Sequence, residues 1–314
     1  MSAPDPDSIQ AAAARLRAGH LQAFPTETVY GLGADATNAD AVLSIYETKG
    51  RPRFNPLIVH VADLAMAESL ARFSPLARKL AQTFWPGPLS LVLPLRPGHG
   101  LAAIVTAGLD SVALRMPDHP LALALLRATG RPLAAPSANP SGKLSPTSAA
   151  RVLAGFAGRV PVLDGGPCMA GVESTILAVR DEKLVQLRAG ALPLDEIEAT
   201  TGLVVERAVK GAAIAAPGMM LSHYAPNAAI RLDTRPEPGE AYLAFGPAAP
   251  FAGPSRNLSP GGDLREAARN LFAMLAELDA TGAPTIAVAP IPQTGLGEAI
   301  NDRLHRAAAP RDGT

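Results

Sequence analysis

Only one cysteine, Cys168, stands among the 314 residues. That excludes an internal disulfide, and a zinc site built on paired thiolates with it. Net charge is also lacking, with 28 basic residues against 28 acidic ones. A neutral chain is a poor standing binder of nucleic acid, which asks for a basic face. No apolar run approaches the roughly 20 residues of a membrane span. The stretch from Met1 to Gln10 is acidic and proline-containing, without the basic start and apolar core of a secretory signal. The expectation is a soluble, cytoplasmic protein without membrane contact. Generic catalytic motifs are missing too: no G-x-x-x-x-G-K-[ST], no H-E-x-x-H, no C-x-x-C and no G-x-S-x-G. A standard P-loop is thereby excluded.

What is present is a large apolar fraction, 48%, enough to bury a real core. The 28 glycines and 31 prolines indicate a turn-rich folded chain rather than low complexity. The length fits one large domain or two ordinary ones. Periodicity predicts helices at 8–18, 39–47, 65–71, 75–83, 120–128 and 147–153. Strands are expected at 21–24, 57–61, 89–95, 111–115, 133–135, 160–163, 174–179 and 184–188. This alternation predicts a layered α/β domain. A boundary is expected between about 208 and 228, where APGMMLSHYAP has no clear period. Beyond it, strands at 230–232, 241–245 and 285–288 and helices at 263–278 and 297–307 form a smaller unit. The first of these helices shows an apolar stripe of Leu264, Ala268, Leu271, Phe272, Leu275 and Leu278. Asp263 with Glu266 predicts a capping pair at its start.

Four segments carry more polar detail than folding requires. In PTETVYGLG, 25–33, Thr26, Glu27 and Thr28 can grip a small polar ligand, and Gly31 and Gly33 admit close backbone approach. A solvated turn is the plainer alternative. In KGRPRFNPLIVH, 49–60, the cations Lys49, Arg51 and Arg53 can neutralise a triphosphate just before a buried strand. A solvated basic turn explains the charge, but neither Asn55 nor the inward-leading His60. In APSANPSGKLSPT, 135–147, Ser137, Asn139, Ser141 and Ser145 suit anion binding, or else an ordinary capped turn. In GVESTI, 171–176, Ser174 and Thr175 open an apolar strand, and Arg188 closes the next one; ordinary strand ends are the alternative. GLGADA, 31–36, fits G-x-G-x-x-A by count. Its polar approach and Asp35 argue against a dinucleotide site. His20, His99, His119 and His305 are isolated and read as surface or structural.

Taken in this order, the segments resemble the threonylcarbamoyl-AMP synthase family, whose catalytic unit is the YrdC-like domain. The matching pieces are PTETVYGLG, KGRPRFNPLIVH, SVALRMP at 111–117, APSANPSG and ESTI. PGMMLSHYAP at 217–226 and the tail GLGEAINDRLHRAA match the long form, which has an extra C-terminal domain. The resemblance covers nearly the whole chain and is weakest over 236–262. The family often has Thr where Ser111 stands, and Ser before the linker proline, where Ala216 stands.

The resemblance implies a YrdC-like twisted mixed sheet flanked by helices over 1–208. A linker, 209–228, would fold back over the active site, and a smaller Rossmann-like α/β domain would cover 229–314. It implies synthesis of threonylcarbamoyl-AMP from L-threonine, bicarbonate or CO₂ and ATP, with release of pyrophosphate. A downstream tRNA-modifying transferase complex would use the product, and this chain would meet tRNA only weakly or indirectly. Thr28, His60, Arg115, Ser174 and the backbone at Ala135 would hold threonine. Lys49, Arg51, Asn55, Ser111, Ser137, Asn139, Ser145 and Arg188 would line the ATP site, with Tyr224 over the nucleotide. Lys49 and Arg51 would stabilise transition-state charge. Mg²⁺ would accompany ATP, bound largely through phosphate oxygens and water, with no protein ligand assigned. The rival reading is a non-catalytic double-stranded RNA-binding module. A related enzyme using carbamoyl phosphate would sit in a longer chain with zinc-binding and acylphosphatase segments, which are absent here.

Overall fold

A computed structural model describes residues 5–180, 183–208 and 223–310. The helices of the first part are α1 (Pro6–Arg17), α2 (Ala39–Lys49), α3 (Leu64–Leu70), α4 (Pro75–Phe84), α5 (Pro120–Thr129), α6 (Ala149–Gly155) and α7 (Leu194–Thr201). Its strands are β1 (Gln22–Phe24), β2 (Gly31–Asp35), β3 (Ile58–His60), β4 (Leu89–Pro94), β5 (Ser111–Arg115), β6 (Leu133–Ala134), β7 (Thr175–Arg180), β8 (Lys183–Arg188) and β9 (Val205–Arg207). The second part holds β10 (Ala229–Arg231), β11 (Ala241–Ala244), β12 (Ser255–Asn257), α8 (Leu264–Asp279), β13 (Thr285–Val288) and α9 (Leu296–Ala308).

Capping chemistry fixes where these helices begin and end. Asp5 accepts from the amides of Asp7 and Ser8 at the start of α1, and Asn38 from those of Asp40 and Ala41 at the start of α2. α2 stops at Gly50, whose left-handed φ of 61° turns the chain directly into the Arg51 loop.

The nine strands of the first sheet lie in the order β1-β2-β6-β3-β5-β4-β7-β8-β9, with mixed directions. Side chains alternate across it. Leu57, Val59, Leu91, Leu93, Val112, Leu114, Leu177 and Val179 face the main core, packed on the helices. Ile58, Val92, Ala113, Ile176 and Ala178 face the other way and form a smaller apolar floor. His60 and Arg115 share that second face, because β3 and β5 pair in parallel with Ile58 opposite Ala113 and His60 opposite Arg115. The second sheet, β10-β13-β11-β12, is all parallel and packs against α8 and α9.

Several expectations need correction. Gly31 and Gly33 lie in a strand, not in a loop, and Gly33 is glycine for a packing reason: a Cβ there would come 2.7 Å from the Phe24 ring across the hairpin. The expected strand at 160–163 reduces to a single bridge, Ala23 with Val162. Proline at 161 has no amide to give a ladder. Glu266 does not cap α8 directly: it accepts from Ser259 Oγ at 2.5 Å, and Ser259 Oγ in turn accepts from the Asp263 amide at 2.9 Å. Asp263 itself caps the Arg265 and Glu266 amides as expected. α7, β9 and β12 were not foreseen; β9 extends the first sheet beside β8. Residues 209–222, most of the expected linker, lie outside the described residues.

Candidate active site

One pocket opens on the face of the first sheet opposite the main core. The wall combines residues from across the first part of the chain: Thr26, Thr28, Val29 and Gly31; Arg51; Ile58 and His60 with Arg115; Ala135 to Ser137; and Glu173, Ser174 and Arg188. His223 and Tyr224 close it from the far side of the linker.

At one end, Arg115 closes β5 and is 4% exposed. Its Nη2 donates to Glu27 Oε1 at 2.5 Å and its Nε to the Gly87 carbonyl at 3.2 Å, so the guanidinium plane is fixed. His60 lies beside it, buried edge-on to Phe24, with no hydrogen-bond partner for Nδ1 among the described residues. Burial, then the neighbouring Arg115 charge, push the imidazole pKa down to about 3, so the ring is neutral at physiological pH. Thr28 Oγ1 lies 2.7 Å from Thr26 Oγ1, which donates to the Val29 carbonyl. Ser174 Oγ is 2.8 Å from Ser90 Oγ. The hydroxyls are thus oriented before any ligand arrives.

At the other end, Arg51 donates through Nη2 to the Pro56 carbonyl at 2.9 Å and through Nε to the Asn55 carbonyl at 3.3 Å. Burial lowers its pKa to about 10, which leaves it a cation. Arg188 donates to the Ser174 carbonyl at 2.8 Å and to Ser174 Oγ at 3.1 Å. Gly190 makes this approach feasible, since a Cβ there would sit 2.3 Å from the Ser174 carbonyl carbon and the Thr175 nitrogen. Three arginines and one carboxylate therefore surround a single pocket of a chain with no net charge. The local field, not the global one, selects anions.

The structure gathers Thr28, His60, Arg115, Ala135 and Ser174 of the expected threonine set into the wall. Of the expected nucleotide set it places Arg51, Ser137, Arg188 and Tyr224 there. Lys49, Asn55, Ser111, Asn139 and Ser145 are not in the wall. Lys49 is buried behind it, where Nζ donates to the Ser137 carbonyl at 2.6 Å and also to the Asn139 carbonyl. Burial and then Arg51 push its pKa well below the usual lysine value. Asn139 closes its own loop through the Pro140 and Lys143 carbonyls. Asn55 is buried at the foot of the Arg51 loop. Ser145 donates to Glu173 Oε1 at 2.5 Å. Ser111 starts β5 on the same face as Arg115 but farther along the strand.

Three groups escaped the reading of the chain: Glu173 and His223 in the wall, and Arg303, whose Nε donates to Glu173 Oε2 at 2.9 Å. A carboxylate at the mouth of an apolar strand was the available signal for Glu173. Its partner lies too far along the chain to be inferred. The one thiol, Cys168, is buried, and burial pushes its pKa up to about 12, so it is no nucleophile.

The family described as "Telomere recombination" matches residues 14–190, and that described as "Threonylcarbamoyl-AMP synthase, C-terminal domain" matches residues 192–309. The threonylcarbamoyl-AMP synthase of Bacillus subtilis is 43% identical over 332 aligned positions, covering 99% of this chain and 95% of its own. That of Pyrococcus abyssi is 43% identical and covers 96% and 94%. The crystal structure of P. abyssi Sua5 complexed with L-threonine superposes with a TM-score of 0.91 at 40% identity, covering 98% of this chain and 96% of that one.

Proposed function

The chain belongs to the threonylcarbamoyl-AMP synthase family, and from that premise we propose that it adenylylates an N-carboxylated L-threonine. The observation that carries this reading is the pairing, in one pocket, of an anchored arginine at one end with cationic arginines at the other. The first end suits an amino-acid carboxylate, with Thr28, Ser174 and neutral His60 around the rest of threonine. The second suits a triphosphate.

The threonine amine condenses with bicarbonate, losing water, or adds to the CO₂ in equilibrium with it, losing a proton; either gives a carbamate. A carbamate oxygen then attacks the α-phosphorus of ATP. The bond from that phosphorus to the bridging oxygen breaks, and pyrophosphate leaves with the electron pair. The carbamate is already anionic, so this step needs no strong protein base; positioning and charge neutralisation carry it. Arg51 and Arg188 are oriented before binding and bear on the charge that develops on the leaving group. Lys49 acts one layer back, by holding the carbonyls of the Ser137–Asn139 turn.

Mg²⁺ enters as part of the ATP substrate. The carboxylates nearest the pocket, Glu27 and Glu173, are engaged with Arg115 and Arg303. Among the described residues no group of three His, Cys, Asp or Glu side chains is arranged to hold a metal ion. On this reading the ion would be held by the phosphate oxygens of the substrate and by water. The product passes to a downstream transferase that modifies tRNA, and tRNA meets this chain only indirectly. The described residues include no helix long and apolar enough to cross a membrane. A double-stranded RNA-binding module is not favoured: Arg51, Arg115 and Arg188 are buried in a pocket, whereas phosphate tracking needs cations spread over a surface.

The test is pyrophosphate release by the full chain. Release that requires ATP, threonine and bicarbonate together supports the assignment; release indifferent to threonine overturns it.

A further inference from the structure

Glu173 poses an electrostatic problem. Its carboxylate is buried in the wall of a pocket meant for anions, next to Ser174 and among Arg51 and Arg188. A buried carboxylate must be paired, or it repels the ligand and carries a desolvation cost. Within its own domain Ser145 Oγ donates to Glu173 Oε1. The donor on Oε2 is Arg303, from α9 of the C-terminal domain.

Arg303 is built for that contact. It is 0% exposed. Its Nη1 donates to the Ala189 carbonyl at 2.6 Å, just past the end of β8, and to Asp302 at 2.8 Å. The Tyr224 ring covers it, with the guanidinium carbon 5.4 Å from the ring centroid. The same interface includes Val172, beside Glu173, packed into the hydrophobic core of the second domain. One side chain thus joins the second domain, the end of the linker and the pocket wall.

We propose that Arg303 is a positioning residue of the nucleotide end: it neutralises Glu173, so that the pocket accepts a polyanion only when the C-terminal domain is docked. This deepens the synthase reading and rests on it for the identity of the polyanion as ATP. Removing Arg303 leaves Glu173 to draw on Arg188, the next cation within its field, and takes that arginine's charge away from the phosphates. The second domain then controls the first by supplying a charge, in addition to any covering of the site.

The test is the affinity of the full chain for Mg·ATP, by titration calorimetry without threonine. Arg303→Met is expected to weaken binding at least tenfold. Adding Glu173→Gln to that variant is expected to restore most of the loss, because the repelling charge goes with its partner. A residue that merely clamps the two domains would not be rescued by deleting the carboxylate. Glu173→Gln alone is expected to bind ATP at least as tightly as the parent. Parent-like binding by Arg303→Met, or a double variant as weak as Arg303→Met, overturns the proposal. Should Arg303→Met fail to fold, weaker binding by Glu173→Gln alone overturns it, and equal or tighter binding supports it. The titration reads ATP binding and not turnover, so an absence of threonine-dependent pyrophosphate release from the parent would count against the synthase assignment and not against this one.

Discussion

At one end of the pocket, Arg115 is met by a carboxylate, Glu27, 2.5 Å away; at the other, Arg51 is held by the carbonyls of Asn55 and Pro56. Both are buried and oriented, yet their electrical states differ. The Glu27 partner cancels most of the long-range field of Arg115 and leaves a directional donor fork, suited to one carboxylate. Carbonyl partners orient Arg51 without cancelling its charge, suited to a ligand carrying several negative charges. Each end also has a buried neutral histidine, His60 beside Arg115 and His223 beside Tyr224. A single cavity can therefore sort a monoanion from a polyanion by how each arginine is anchored.

The largest effect is expected from Arg115→Ala. It removes the fork and strands Glu27, so threonine affinity should fall by about 100- to 1,000-fold, as truncation of a buried charge pair does. ATP affinity, measured by the same titration, should stay within about threefold if the ends are independent; an equal collapse of both would contradict the division. Next in size, Arg51→Met should weaken ATP by about 10- to 100-fold, the range for a lost charge-assisted contact, and hardly touch threonine.

A smaller effect concerns acid. Burial first, together with nearby cations, holds both His60 and His223 at about 3, below the ordinary 6.5. The unfolded chain takes up protons below about pH 6.5 while the folded chain does not. The stability contributed by each neutral ring is complete above that value and is lost as pH falls toward 3, by up to about 1.4 kcal/mol per pH unit and histidine. Thermal unfolding between pH 7 and 4 should show the decline, and His60→Gln should flatten it by about half. An unchanged slope in that variant would show that His60 is not buried as described. Smallest, Ser174→Ala should weaken threonine by about tenfold or less, the worth of one neutral hydrogen bond. It should also loosen Arg188, so a modest rise in the ATP constant is expected alongside.

Elements with strong local signals were legible in the sequence. The Leu264–Leu278 stripe, the Asp263 cap and the apolar β3 run each state their structure within a few residues. β9 and β12, three residues each, were not, because their pairing rests on neighbours distant in the chain. The site divides in the same way. Thr28, His60, Arg115 and Ser174 were legible through the family resemblance of the segments that carry them. The roles of Glu27, Glu173 and Arg303 were not, since each is defined by a partner 88 or 130 positions away. Lys49 was legible as a cation but not as one turned toward carbonyls, because the sequence does not say which way a side chain points.

The most direct test of the two-ended pocket is an experimental structure with Mg·ATP and L-threonine bound together. The threonine carboxylate is expected on Arg115, opposite Glu27, and the phosphates between Arg51 and Arg188. Phosphates on Arg115, or a carboxylate on Arg51, would contradict it.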